Sequence, residues 1–171
     1  MIPNDEEDSG IYVDIGQHQN DCLGNIMLCT KGLTLSLWFQ GQKQKAKYPV
    51  LFISSSIKVH FKQGKNDLDL YITLTNTTHQ KAYTSGLPVV TFDEWHLIAI
   101  TYSTNKDFEV YYDGHKLDNA LPTFITTATL SPVNVQFGCS SALDCGKFHY
   151  DDFRFWNVRK SPRFMWYLWK M

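Results

Sequence analysis

The feature that most constrains the fold of this chain is a succession of short runs in which apolar and polar residues alternate. The clearest run extends from Leu33 to Gln40, where an apolar residue at every second position predicts one buried strand face. Similar runs recur along the chain, separated by Gly, Pro, Asn and Ser, which is typical of antiparallel β-structure. Between two of them, Asp113-Gly114 predicts a two-residue hairpin turn, because both turn positions need positive φ. The chain is therefore predicted to be all-β.

The number of runs and the length of the chain favour a single domain built from two packed sheets. A chain of 171 residues can bury a substantial core, and the 15% of aromatic residues supply its bulk. A two-sheet antiparallel sandwich fits this pattern, with a closed barrel as the structural alternative. The runs predicted as strands are 11–15, 33–40, 49–54, 57–62, 68–75, 89–90, 95–102, 108–112, 115–117, 123–129, 133–137 and 147–156.

The C-terminal end differs from the rest of the chain. Ser161-Pro162 predicts the start of a short helix, with Ser as the cap and Pro in the first turn. The following residues, from Phe164 to Trp169, are almost all large and apolar. We expect this helix either to pack against the sandwich or to form a docking surface for a neighbouring domain or subunit.

Composition excludes several classes of function. The net charge of −1 and the pI near 6.6 argue against nucleic acid as a partner, because nucleic-acid-binding proteins carry a basic excess. No apolar run approaches the length of a membrane span, and residues 2–8 are too polar for a secretory leader. We therefore expect the chain to be part of a larger polypeptide, with a flexible N-terminal segment over residues 1–9.

The four cysteines form two close pairs in sequence, Cys22 with Cys29 and Cys139 with Cys145. Zinc sites favour tighter C-x-x-C pairs, so two local disulfides are the preferred interpretation over free thiols. Four cysteines allow three connectivities, so the sequence leaves crossed pairing open. The sequon at Asn76 is a candidate glycosylation site, and together with paired cysteines it favours an extracellular location.

A cationic strand face is the first candidate binding site. Lys58, His60 and Lys62 alternate with apolar residues, so they share one face of a predicted strand. Spaced cations of this kind suit a sulfated polysaccharide, whereas the alternative is an ordinary solvated face. The loop before the strand adds three candidate glycan-binding residues, Lys43, Lys45 and Lys47.

Carboxylates form the second candidate site. Asp67 and Asp69 lie two residues apart on a predicted strand, a spacing that places both on one face. A retaining glycosidase needs two carboxyls about 5 Å apart, usually glutamates, but no glutamate of this chain lies in such a pattern. Catalysis is therefore not expected, and no catalytic residue is assigned. Calcium is the cofactor that such a site would hold, with solvated loop acids as the alternative; the candidate ligands are Asp67, Asp69, Asp144 and Asp151.

Three motifs carry a resemblance to a known family. They are Gly32-Leu33-Thr34-Leu35-Ser36-Leu37-Trp38-Phe39, the run from Glu94 to Tyr102 followed by Tyr112-Asp113-Gly114, and the stretch Phe148-His149-Tyr150-Asp151-Asp152-Phe153-Arg154-Phe155-Trp156-Asn157. In this order and spacing they resemble the laminin G / pentraxin group of concanavalin-like β-sandwiches. The resemblance implies a jelly-roll sandwich over residues 10–160, followed by the apolar helix or a linker to the next domain over residues 161–171.

The resemblance also implies a function. The local form Cys22-Leu23-Gly24-Asn25, with Cys29 shortly after it, is similar to pentraxin-like domains of large cell-surface receptors. It implies a non-catalytic extracellular module that binds a protein or a glycan at the cell surface or in the extracellular matrix, in adhesion or receptor signalling. A lectin-like module for sulfated polysaccharide, acting through Lys58 and Lys62, is the first alternative. A glycoside-acting enzyme of the same fold is the second. The resemblance also implies that Trp38, Trp95 and Trp156 belong to the core and that His96 has a structural role.

Overall fold

The computed structural model describes residues 13–18, 20–43, 46–65, 67–75, 80–84, 90–103, 106–117, 122–125, 134–139 and 145–171. The predicted flexible segment over residues 1–9 lies outside these ranges. Within them the chain forms thirteen strands, a short 3-10 helix over Ile26–Leu28 and one C-terminal α-helix. The strands are β1 Val13–Gln17, β2 Leu33–Gly41, β3 Val50–Ile53, β4 Ile57–Gln63, β5 Asp67–Thr75, β6 Gln80–Thr84, β7 Val90–Thr91, β8 Trp95–Ser103, β9 Lys106–Tyr112, β10 His115–Lys116, β11 Pro122–Ile125, β12 Asn134–Phe137 and β13 Phe148–Trp156, and the helix is α1 Pro162–Lys170.

The strands pair into two antiparallel sheets, which confirms the predicted sandwich. Sheet A has the order β1-β12-β3-β4-β5-β6-β11, with β7 pairing along the start of β5. Sheet B has the order β10-β9-β8-β2-β13. Strands far apart in the sequence are neighbours in both sheets, so the fold depends on long-range pairing.

The core lies between the two inner sheet faces and is rich in aromatic rings. Leu33, Leu35, Leu37 and Phe39 of β2 are buried, as the alternation of that run predicts. The ring of Phe39 lies 5.4 Å from that of Phe61 on the facing sheet. Contacts of this kind join the two layers, because interlocking rings bury large apolar areas.

The outer face of sheet B is covered by the C-terminal part of the chain. The hydroxyl of Thr34 donates to the carbonyl of Val158 and accepts from the backbone N–H of Lys160, at 3.0 and 2.8 Å. Ser161 caps α1 by accepting from the N–H of Phe164 at 3.3 Å. The helix then buries Met165 against β8 and β9. The prediction of a C-terminal helix is confirmed, and the helix packs against the sandwich.

A β-bulge near the middle of β13 allows aromatic side chains on both sides of it to face the core. Asp151 pairs with Trp38 and Arg154 with Ser36, so two residues of β13 oppose one of β2. Asp152 adopts a positive φ of 50° there and forms a 2.6 Å ion pair with Arg154. Asp151 is exposed, and Asp152 is partly buried beside Arg154.

The predicted strands recur with small shifts at their ends, with one strand missed. Asp113 and Gly114 have φ of 46° and 76°, which confirms the hairpin turn between β9 and β10. No strand was predicted over Gln80–Thr84, yet β6 pairs there with β5 and β11. The assignment of Trp95 to the core is wrong, because its side chain is 45% exposed on the outer face of sheet B.

Two disulfides join Cys22 to Cys29 and Cys139 to Cys145, the local pairing preferred from the sequence. Cys22 and Cys29 are buried as part of the main hydrophobic core, beside the 3-10 helix. Each bridge closes only a short loop, with sequence separations of 7 and 6. Disulfides are typical of proteins from oxidising compartments.

Candidate functional site

The outer face of sheet A carries the cationic residues predicted from the sequence. In β4, Ile57, Val59 and Phe61 are buried in the core. The alternate residues Lys58, His60 and Lys62 therefore project outward in a row, with Lys62 the most exposed. We call this row the cationic face.

The neighbouring strand β5 changes the character of this face. Tyr71 lies opposite His60, and the two rings stack with centroids 5.4 Å apart and an interplanar angle of 23°. Lys58 lies opposite Thr73, whereas Lys62 lies opposite Asp69. One end of the cationic face therefore has a carboxylate beside it, and the other has a hydroxyl.

The preceding loop brings further lysines toward the same edge. The backbone carbonyl of Lys47 accepts a 3.0 Å hydrogen bond from the N–H of Gln63, at the end of β4. The ammonium of Lys47 lies 5.3 Å from the ring centroid of Tyr48. Lys43 is exposed, and Lys45 lies outside the described residues. The backbone of this loop therefore lies beside the end of the cationic face.

The candidate calcium ligands are divided between the two sheets. Asp67 and Asp69 lie on β5, beside the cationic face, whereas Asp151 lies on β13 of sheet B. Asp144 and the sequon residue Asn76 are outside the described residues. In the described ranges no group of three or more His, Cys, Asp or Glu side chains is arranged to hold a metal ion. Asp151 therefore lies on a different sheet from Asp67 and Asp69.

The sequence did not predict the polar network that surrounds His96. The ring of His96 is buried and stacks on that of Tyr112, with centroids 5.1 Å apart. Its Nδ1 donates to the carboxylate of Asp113 at 2.9 Å. The other carboxylate oxygen of Asp113 accepts from the N–H of Leu97 at 2.8 Å. The Asp113-Gly114 hairpin signal could have located the turn, but it gave no sign that its aspartate reaches back to β8.

The His96 network is arranged for support and not for nucleophilic catalysis. The hydroxyl oxygen of Thr91 lies 3.4 Å from Nε2 of His96. Thr91, His96 and Asp113 are thus arranged in the same order as the nucleophile, base and acid of a hydrolase triad. However, the Thr91 hydroxyl donates its proton to Glu94 at 2.5 Å, so this proton is not directed at the histidine. The network ties β7, β8 and the β9–β10 turn together, which supports the structural role expected for His96.

The fold defines the chain as a two-sheet β-sandwich with an exposed outer face on sheet A and a helix-covered face on sheet B. The sequence model of the concanavalin A-like lectin/glucanases superfamily, in its laminin G form, matches residues 8–163. The chain therefore belongs to this superfamily. None of the curated protein sequences matches the chain.

Solved structures share this fold at low sequence identity. A heptameric SAP-like pentraxin from Limulus polyphemus superposes with a TM-score of 0.54 and 11% identity, over 80% of this chain and 69% of the pentraxin chain. The binding domain of botulinum neurotoxin serotype D gives a TM-score of 0.65 and 16% identity, over 95% of this chain and 41% of the toxin chain. Botulinum neurotoxin type C, described as interacting with two ganglioside molecules, gives 0.59 and 14%, over 93% and 39%.

These similarities establish the fold and the kind of protein that shares it. At 11–16% identity they assign no binding residue to this chain. The chain spans about two fifths of the length of the two toxin chains, as their coverage of 41% and 39% shows. Across the described residues, the structure contains no helix with the length and apolar composition that a membrane crossing requires.

Proposed function

We propose that this chain is a non-catalytic recognition module of an extracellular protein, in adhesion or receptor signalling, and that the cationic face binds an acidic glycan. The observation that carries the proposal is the row formed by Lys58, His60 and Lys62, which lies on the outer face of sheet A, with Lys62 exposed and Tyr71 stacked on His60. A sulfated sugar offers anionic oxygens to the ammonium groups and a ring face to the aromatic pair.

The distribution of charge indicates where the ligand would bind. Asp69 opposite Lys62 weakens the field at one end of β4, whereas the neighbour of Lys58 on β5 is the uncharged Thr73. The backbone of Lys47 is hydrogen-bonded to Gln63 at the end of β4 that carries Lys62. Botulinum neurotoxin type C, which shares this fold over 39% of its chain, is described as interacting with two ganglioside molecules, and this supports a glycan as the class of ligand.

A glycan ligand fits the face better than a calcium-dependent one. Calcium needs six to eight oxygen ligands, whereas Asp69 lies opposite Lys62 and Asp67 pairs with Thr91. A nearby ammonium group disfavours the approach of a divalent cation, since like charges repel. We therefore propose calcium-independent binding, with a protein ligand as the alternative partner.

Heparin affinity chromatography tests this proposal. The wild-type chain should be retained and should elute as the salt concentration rises, because screening weakens exposed charge pairs. The double variant Lys58→Glu/Lys62→Glu should bind at least about tenfold more weakly, since two charge-assisted contacts become repulsions. Addition of EDTA should not change retention.

A matched variant outside the cationic face controls for non-specific charge effects. Lys31→Glu is compared with Lys62→Glu alone, because each variant reverses one charge at an exposed lysine. Unchanged retention of this variant, with loss for the β4 variant, supports the proposal. An equal loss of retention in both variants, or no retention of the wild-type chain, would contradict the proposal.

A further inference from the structure

The exposed side of α1 combines aromatic and cationic side chains. Met165 and Leu168 are buried against sheet B, whereas Trp166 and Tyr167 are 43% and 48% exposed. Arg163 donates from Nη2 to the hydroxyl of Tyr167 at 2.9 Å, so these two side chains lie side by side. We call the set Lys160, Arg163, Trp166, Tyr167 and Lys170 the helix surface.

The chain segment that forms and precedes the helix surface is rich in basic residues. The sequence from Phe153 to Met171 contains five basic residues and no acidic one. Two of the five, Arg154 and Arg159, pair with Asp152 and Glu109. The other three, Lys160, Arg163 and Lys170, form no ion pair with any part of the chain that the structure describes.

Each of these three cations lies over an aromatic ring. Lys160 is 5.2 Å from the ring centroid of Phe164, Arg163 is 5.4 Å from that of Tyr167, and Lys170 is 4.0 Å from that of Trp169. Placed over a ring, the charged head keeps its donors available while the apolar stem covers the aromatic face. Charged groups and apolar area therefore lie side by side on the helix surface.

The carboxylates nearest to α1 do not neutralise these cations. Glu109 is held by Lys116 and Arg159 and accepts a 2.8 Å hydrogen bond from the hydroxyl of Tyr111. Both oxygens of Asp113 are bound, one by His96 and the other by the N–H of Leu97. Lys160, Arg163 and Lys170 thus remain available to an anionic partner.

We propose that the helix surface docks onto an anionic lipid membrane. Tryptophan and tyrosine favour the boundary between headgroups and acyl chains, and lysine and arginine bind lipid phosphates. An amphipathic helix with these residues on its free side lies in the plane of the boundary. The helix lies along sheet B, from Phe164 packed on Trp156 to Trp169 packed on His115, so its exposed side can meet a plane along its whole length.

Charge decides between the membrane and other partners of this surface. A second copy of the chain, docked by the same face around a two-fold axis, would bring like charges together. The buried centre of a protein interface is depleted in lysine, whereas two of the three free cations here are lysines. The phosphates of an anionic bilayer can bind all three cations, and its headgroup boundary can bury the exposed rings of Trp166 and Tyr167.

Vesicle flotation of the full chain tests the proposal. Phosphatidylcholine vesicles that contain phosphatidylserine should carry the chain to the top of the gradient, and pure phosphatidylcholine vesicles should not. The variant Lys160→Glu/Arg163→Glu/Lys170→Glu should bind at least about tenfold more weakly. The variant Trp166→Ser/Tyr167→Ser should also bind more weakly and should lose the blue shift of tryptophan fluorescence that vesicles induce in the wild type.

The control is Lys65→Glu, matched with Lys170→Glu alone, which reverses the charge of an exposed lysine outside both proposed surfaces and should keep vesicle binding. Thermal melting verifies that each variant is folded, and Lys170→Glu alone replaces the triple variant if that variant does not fold. Absence of flotation, equal flotation with neutral vesicles or equal loss in the control would overturn the proposal. A dimer in sedimentation velocity that Trp166→Ser/Tyr167→Ser disperses would overturn it in favour of a second copy.

Discussion

At the scale of single residues, one aspartate has two tasks at the β9–β10 turn. Asp113 occupies the left-handed region with φ of 46°, and its carboxylate binds both the N–H of Leu97 and the ring of His96. Asp and Asn tolerate this backbone conformation better than other side chains do. The next residue, Gly114, has a positive φ of 76°, which favours glycine. Packing requires glycine as well, since an added Cβ would lie 3.0 Å from the Cβ of Trp169. The turn is therefore adapted both to β8 and to the helix above it.

The first prediction concerns the carboxylate of Asp113. Asp113→Ala should lower the free energy of unfolding by about 2–3 kcal/mol, because the N–H of Leu97 and the buried ring of His96 lose their acceptor. Urea denaturation measures the change. Asp93→Ala is the matched control, since Asp93 also has a positive φ of 62° but is exposed. An equal loss in both variants would show that backbone conformation, and not the hydrogen bonds, sets the effect.

At the scale of elements, the attachment of α1 depends on one half-buried ion cluster. Glu109 of β9 lies between Lys116 of β10 and Arg159, which precedes the helix. Burial raises the pKa of its carboxyl, but the hydrogen bonds from Tyr111 and Lys116 and the charges of Arg159 and Lys116 outweigh burial. The pKa of Glu109 therefore lies below its ordinary value of 4.5. The cluster joins the edge of sheet B to the segment that leads into the helix.

The second prediction follows from the sign of this shift. A carboxyl whose pKa is lower in the folded state stabilises that state above its unfolded pKa, and this stability is lost as the pH falls through the folded pKa. Glu109→Gln should therefore cost about 1–3 kcal/mol at neutral pH, and the difference from wild type should shrink at pH values below 4.5. Urea denaturation across this pH range checks it, with Asp151→Asn, an exposed carboxyl of β13, as the control. A difference that stays constant with pH would contradict the assigned charge cluster.

At the scale of the whole molecule, sequence pattern reveals strand faces but not the neighbours of each strand. The alternation in β4 predicted which side chains enter the core, because its burial alternates with period two. In β2 the predicted core face is buried as well, but Thr34 and Ser36 on the other face are also buried, beneath the C-terminal part of the chain. By contrast, β6, with the sequence QKAYT, has no such alternation and becomes a strand through its pairing with β5 and β11. Local pattern cannot show this, because the partners lie elsewhere in the chain.

The candidate site shows the same limit. The row of Lys58, His60 and Lys62 could be predicted, since its members are on one strand. That Asp69 stands opposite Lys62 depends on the register of β4 and β5, which sequence alone does not specify. The exposure of Trp95 likewise depends on how far α1 covers sheet B, and the helix surface could be recognised only after Met165 and Leu168 were found to face inward.

The third prediction separates the contribution of the two sheets from that of the disulfides. The bridges close loops of similar length, so the entropy that each removes from the unfolded chain corresponds to about 2–3 kcal/mol. Cys22 and Cys29 are also part of the main core, so Cys22→Ala/Cys29→Ala should destabilise more than Cys139→Ala/Cys145→Ala. In both variants the β-sheet circular dichroism spectrum should persist at 25 °C, because the packed sheets and not the bridges specify the fold. Urea denaturation gives the two costs, and an unfolded spectrum for the second variant would mean that the sandwich core is too weak to fold without its crosslinks.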